Sequence, residues 1–414
     1  MGRASHIALV AMALLAGLFE GPAEIAAVIA VGLLLANGTW RDARLNLADL
    51  GVVLWLIAGA IGLIGSPAVL GSAATLHPLI ALAYVAGRLG IANADDLLLR
   101  RLGLAFAVAC VINGLYGIFQ VALFDPPLEP LIIGRSAAAR LADPDSNGRL
   151  RMATGLFYNR LKFAHVAVLG LGLIGLVIDG AIQSGAGGIG AARRARPRVV
   201  WAFVAAVTLG IALFLTYRRA APAALLGAGL LLALLMRRLR LAASVVAIAG
   251  GILLLYFLSD YGRDRIDAAA LELGERLQIY QAALTLVMEH PLVGVGHGGW
   301  AGSIGAYLPP DLSAKVLRNG LNSPHNLGLQ VMAETGALGF LGFAAAVGSS
   351  LAATAIAIRR DRDVESPQAT LDRFVFLGLV ALIGLGMLHS VLYHVPVALA
   401  FWTMLGVASA RLEA

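Results

Sequence analysis

Apolar stretches closed by arginines or by Gly/Pro breaks recur along the whole chain. They fall near residues 6–18, 22–37, 49–65, 76–92, 102–124, 161–182, 199–216, 220–236, 241–258, 336–358, 372–391 and 395–411. Such runs approach or exceed the roughly 17–25 residues that a helix needs to cross a bilayer. The pattern predicts an all-α integral membrane protein of about 12 transmembrane helices. The first two runs are short, compatible with tilted or partly re-entrant segments, and the cut between the seventh and eighth rests on one polar patch, "TYRRAAP".

Composition agrees, with 59% of the 414 residues apolar and 13% charged. A soluble chain of this length needs more charge to coat its surface, and a secretory signal would give one apolar run followed by ordinary globular sequence. The single cysteine, Cys110, lies inside an apolar run and has no intramolecular partner.

Arginine placement tests the topology independently, because short loops rich in Lys/Arg stay on the cytoplasmic side. Arg3, Arg41, Arg44, Arg88, Arg100, Arg101, Arg193, Arg194, Arg196, Arg198, Arg237, Arg238, Arg240, Arg359, Arg360, Arg362, Arg373 and Arg411 fall on one face. These 18 of 31 basic residues place both termini in the cytoplasm. The others cluster on the outer face. Arg135, Arg140, Arg149, Arg151, Arg160 and Lys162 belong to a loop at 125–160, and Arg218 and Arg219 to a tight turn. Arg263, Arg265, Arg276, Lys315 and Arg318 belong to a loop of about 65 residues, 259–325. Any one of them can snorkel or pair with Asp260, Asp264, Asp267, Glu272 or Glu275, but as a set they suggest an anion-binding outer face.

The chain thus divides into spans 1–9 over residues 1–258, an outer loop at 259–325 and spans 10–12 over 326–414. The outer loop carries its own helix signal, "DAAALELGERLQIYQAALTLVMEHP", closed by Pro291; an amphipathic helix of this kind can lie at the membrane surface. After it, "PLVGVGHGGWAG" packs five glycines into nine residues, which makes a compact turn or lets backbone approach a ligand. On glycine content alone the turn is the better reading.

A polar knot, Asn322, Ser323, His325 and Asn326, precedes an apolar helix. With Pro324 fixing the backbone and Asn326 available as a cap, the helix should begin near 325 and turn its amides and positive dipole end to the outer boundary, an end that attracts anions. A histidine there is a competent base near neutral pH, more so where arginines disfavour its protonation. Standing alone, a histidine capping an interfacial helix would be the simpler account.

The order "ERLQIYQAAL", "HPLVGVGHGGW", "SPHNLGLQVMAETGALG" closely resembles the C-terminal signature of the O-antigen ligase and polymerase superfamily. Its elements are Arg276 with Tyr280, His290 to Gly296, and His325-Asn326 with Glu334-Thr335-Gly336. Upstream, "GLFYNRLKFAHV" looks like the family's Gly-x-Phe-x-Asn segment, and "LTYRRAAPA" like its Thr-x-Ser-Arg-Gly-Ala turn. Arg218 stands for the serine and Ala220 for the glycine, which leaves open whether Arg218 or Arg219 inherits the arginine's role. The match covers roughly residues 150–345.

The resemblance implies a GT-C-like membrane glycosyltransferase. It would move a preassembled O-antigen from undecaprenyl diphosphate to a hydroxyl of lipid A-core oligosaccharide, at the periplasmic face of the bacterial inner membrane. Expected partners are that donor, that acceptor and membrane lipids, with no nucleic acid, cofactor or metal. Arginine forks bind diphosphate oxygens and histidine accepts a hydroxyl proton. Arg219 and Arg276 are therefore expected to grip the diphosphate, with His325 as general base. Arg218, Asn326, Tyr280, His297, Arg160 and Glu334 are expected in the substrate site. "DPDSNGRLRMAT" opens like a calcium loop, but Thr154 stands where its final glutamate belongs. No carboxylate adjoins His325, which favours single displacement with inversion.

His389 and His394 also map to the outer face with Tyr393, as a possible interfacial belt, while His165, His6 and His77 read as satisfied structural groups. An O-antigen polymerase or a protein O-oligosaccharyltransferase shares the signature. Ligase is preferred because the outer loop is moderate in size and no soluble domain is present to dock a protein. A lipid-linked glycan transporter should carry charge deep in its spans, and here the span centres are nearly free of it.

Overall fold

The structure is a computed structural model that describes residues 2–64, 81–122, 152–157, 159–185, 189–258, 260–313, 324–389 and 391–413. Within them the long helices are α1 (Arg3–Ala16), α2 (Glu20–Ala36), α3 (Leu47–Leu63), α4 (Asp96–Ala122), α5 (Arg160–Gly185) and α6 (Ile189–Phe214). They continue as α7 (Ala220–Leu235), α8 (Leu239–Leu258), α9 (Asp260–Glu289), α10 (Leu327–Arg360), α11 (Pro367–Gly386) and α12 (Val395–Ser409), and the described residues contain no strand.

Among the described residues, six helical segments are long and apolar enough to cross a membrane: Asp96–Ala122, Arg160–Gln183, Arg196–Phe214, Leu327–Arg360, Pro367–Gly386 and Val395–Leu412. Helices α1, α2, α3, α7 and the first part of α8 are apolar but shorter. The fourth expected span falls partly outside the described residues. Its remainder, Leu82–Val85 running into a π-helical Ala86–Gly90, packs on α12. The eleventh span ends earlier than the hydropathy suggests, at Gly386, so that 387–394 forms a connection outside the spans.

The two ends of the bundle differ chemically. At one end arginines meet carboxylates: Arg88 with Asp49 and Glu413, Arg238 with Asp179 and Glu365, Arg373 with Glu365, and Arg411 with Asp372. All four arginines belong to the set assigned to the cytoplasmic face. The opposite end is built around polar connections. There Gln120 of α4 accepts from the Thr154 and Gly155 amides, Ala153 N–H donates to Leu215 at the end of α6, and Gly386 packs on Leu327.

Helix α3 lies along α10, with backbones in close approach at Gly51 and Gly342; a Cβ on Gly342 would come within 2.6 Å of the Gly51 carbonyl oxygen. Further along, α10 is interrupted at Gly336, whose φ of 60° and ψ of −166° are open essentially only to glycine. An unbroken helix would pair Ala337 N–H with Ala333 O and Leu338 N–H with Glu334 O. All four groups instead find partners in the glycine turn. Ala337 N–H donates to Pro291 O at 2.8 Å and Leu338 N–H to Leu292 O at 3.1 Å, while Ala333 O and Glu334 O accept from Val295 and Gly296 N–H at 3.0 and 2.8 Å. Glycine at 294, 296 and 298, each with positive φ, lets the turn come close enough. The turn therefore receives protein backbone, which unsatisfied groups in an apolar setting require.

Helix α9 is the helix expected in the outer loop, and its termination before Pro291 follows the sequence signal. Ile279, Ala282, Ala283 and Leu286 bury one face against Val295, Trp300, Ile304, Leu308 and Leu312 of the loop and Ala333 of α10, a second small core. A second apolar stripe, Leu273, Leu277, Leu284 and Met288, is exposed, as suits a helix resting on a membrane surface.

Candidate active site

The polar end of the bundle gathers side chains from five segments. Asn326 caps α10, its Oδ1 accepting from Leu329 N–H at 3.0 Å, and the preceding His325 takes a left-handed backbone with φ of 53°. Tyr217 does the same at φ 54° in the turn between α6 and α7. Such conformations cost energy for residues other than glycine and concentrate where a side chain must be aimed. The half-buried Arg218 follows Tyr217, and Thr216 holds the turn by donating to Leu213 O at 2.6 Å and accepting from Arg218 N–H at 3.2 Å.

On α9, Arg276 and Tyr280 stand one turn apart on the flank between the buried face and the exposed stripe. That flank brings the Arg276 charge to His325. Burial first, then Arg276 and Arg218, hold the His325 imidazole below its ordinary value. Neutral imidazole is therefore the form favoured at neutral pH.

Three further histidines converge here. The His325 ring meets that of His389 edge-on at 6.4 Å between centroids, and His165 lies 5.6 Å from His389 and 6.1 Å from His394. His389 is held down to about 3 by burial, then by Arg218, His325, Arg276 and His394; His394 is held at about 4 by burial, then by Lys162, His325 and Arg218. His165, expected as a satisfied interhelical hydrogen bonder, is fully buried, and neither ring nitrogen has a hydrogen-bond partner among the described residues.

The other expected site residues are placed differently. Arg219 is exposed at the start of α7, and Arg218 is the member of the pair whose charge acts on His325, His389 and His394. Arg160 opens α5 and lies against the Met152 sulfur. His297 is 2% exposed, edge-on to Trp55 at 4.4 Å, with its N–H donating to Gly59 O. Glu334 is also buried, its carboxylate against the backbone N–H groups of Gly298 and Trp300. These two line a cavity of about 20 Å³ with Trp55, Gln330 and Trp402, room for about one water, inside the protein at the helix break. Their surroundings suit residues that hold the glycine turn to α10.

Asn113 and Gln120, amides that sequence reasoning passed over, anchor the 154–157 segment; Asn113 Oδ1 accepts from Leu156 N–H at 2.7 Å. Their one signal is a polar amide within an apolar run. Asn322, Ser323, Lys315, Arg318, His77 and most of the calcium-like segment lie outside the described residues. Among the described residues no group of three or more His, Cys, Asp or Glu is arranged to hold a metal.

Residues 203–344, which carry Arg218, Arg276, the glycine turn and His325, match the family described as O-antigen ligase. That segment is similar to the O-antigen ligase family. The six apolar helical segments among the described residues, with no strand among them, make the chain a multi-pass, all-α membrane protein. A search among curated proteins gave no match. The matched segment ends shortly after the break at Gly336, and the histidines at 389 and 394 lie beyond it.

Proposed function

We propose that the protein is an O-antigen ligase, which transfers O-antigen polysaccharide from undecaprenyl diphosphate to a sugar hydroxyl of lipid A-core oligosaccharide. The observation that carries this reading is the convergence of Arg218, Arg276 and His325, far apart in sequence, with both guanidinium charges acting on one imidazole. The guanidiniums grip the diphosphate. His325 takes the proton from the acceptor hydroxyl as its oxygen attacks the anomeric carbon. The bond from that carbon to the diphosphate oxygen breaks, and the electron pair leaves on the diphosphate, whose charge the arginines stabilise. A single displacement inverts the anomeric centre, and arginines in place of a metal make the reaction chelator-insensitive.

Arg219 and Asn326, next in sequence to Arg218 and His325, Tyr280, one turn from Arg276, and Arg160 bind donor or acceptor sugars. The chain crosses the inner membrane about twelve times in a GT-C-like arrangement, with both termini cytoplasmic and the site facing the periplasm. Reconstitution with defined lipid-linked O-antigen and purified lipid A-core tests the proposal. New product on the core is expected, abolished by His325→Ala and unaffected by chelator. Lengthened lipid-linked glycan would identify a polymerase, and product on added protein an oligosaccharyltransferase. Near-normal ligation by His325→Ala would overturn the base assignment.

A further inference from the structure

His389 is the hub of the imidazole cluster, within 6.4 Å of His325 and 5.6 Å of His165 between ring centroids, on a connection that the catalytic reading does not use. The charges that act on it come from each element packed around it: Arg218 from the α6–α7 turn, Arg276 from α9, His325 from the start of α10 and His394 from its own connection, with His165 of α5 beneath. All are cationic or imidazole. Burial and these charges keep its own imidazole neutral without substrate, held at about 3.

A diphosphate changes that balance. Its negative charges, placed between Arg218 and Arg276, offset the repulsion from these neighbours, and a phosphate oxygen accepting from the imidazolium compensates the burial that is the larger cause, so an imidazolium becomes the favoured form. We infer that His389 is a third arm of the diphosphate site: binding draws a proton from water onto His389, which then donates a charge-assisted hydrogen bond to a phosphate oxygen. No bond of the donor is made or broken in this step. Proton uptake makes the site selective for an anion of high charge density and strengthens donor binding as pH falls. The inference rests on the diphosphate reading above.

The test is calorimetric titration of the full-length protein in nanodiscs with farnesyl diphosphate, a soluble prenyl diphosphate, in two buffers of different ionisation enthalpy at neutral pH. Wild type should bind with net proton uptake. His389→Gln should lose the uptake and bind about tenfold more weakly, the scale of one charge-assisted hydrogen bond. His394→Gln, in the same connection, should keep the uptake and so controls for local disruption. His325→Ala should bind with uptake intact while losing transfer. Binding by wild type without uptake, uptake that survives His389→Gln, or loss of uptake in both His389→Gln and His394→Gln would overturn the inference and leave the ligase reading standing. Absence of binding by wild type would overturn the diphosphate reading itself.

Discussion

Gly296 N–H donates to the Glu334 carbonyl oxygen at 2.8 Å, so a glycine turn completes the hydrogen bonding of a helix that breaks two residues later. Two signature segments some forty residues apart in sequence thus form one structural unit.

Replacing Gly336 with alanine forces a side chain into a conformation that costs roughly 1–3 kcal/mol and drives its Cβ into the Leu292 backbone. We expect a clearly lower melting temperature in detergent and a matching loss of transfer activity. Melting unchanged from wild type would show that the break is dispensable.

The Tyr217 backbone decides between two adjacent arginines, aiming Arg218 at the imidazole cluster and leaving Arg219 exposed. Arg218→Gln should lower kcat/KM by roughly 10²–10³, the loss found when one preorganised donor to developing charge is removed. Arg219→Gln should cost much less. A larger loss for the Arg219 variant would reverse the assignment.

Much of this was legible in the sequence for simple physical reasons. A span announces itself because lipid demands a continuous apolar run, and the α10 start at His325-Asn326 was readable because a cap is a local device. The loop helix ended where Pro291 required. Other features depend on registers between distant segments. Nothing local tells that the 294–298 glycines meet protein backbone at a helix break, or that His297 and Glu334 turn inward as a result. Likewise His165, which reads as a structural group, and His389 and His394, which read as an interfacial belt, look unrelated until α5, α11 and α12 bring them together.

Removing a positive neighbour should change the pH response of the base. Arg276 and Arg218 add to burial in keeping the His325 pKa low. Arg276→Gln should therefore raise it and move the acid limb of kcat/KM to higher pH, on top of a lower plateau. The measurement is the full pH profile of ligation for both proteins. A limb that stays in place or moves to lower pH would separate Arg276 from His325.

Stability should respond to pH through the same cluster. His389 and His394 titrate near 3 and 4 in the folded protein and at the ordinary 6.5 once exposed by unfolding. Between those limits the unfolded chain binds more protons than the folded one, so falling pH favours unfolding. No contribution from these two residues arises above the ordinary histidine range, and the loss grows from there down to about 4. The ligand-free protein should melt at progressively lower temperature as pH is lowered from neutrality to 5, with a shallower slope in His389→Gln/His394→Gln. A double variant with the wild-type slope would mean that other groups govern the acid response. A bound prenyl diphosphate should flatten the slope as well, since charge on the ligand makes protonated imidazoles acceptable in the folded state.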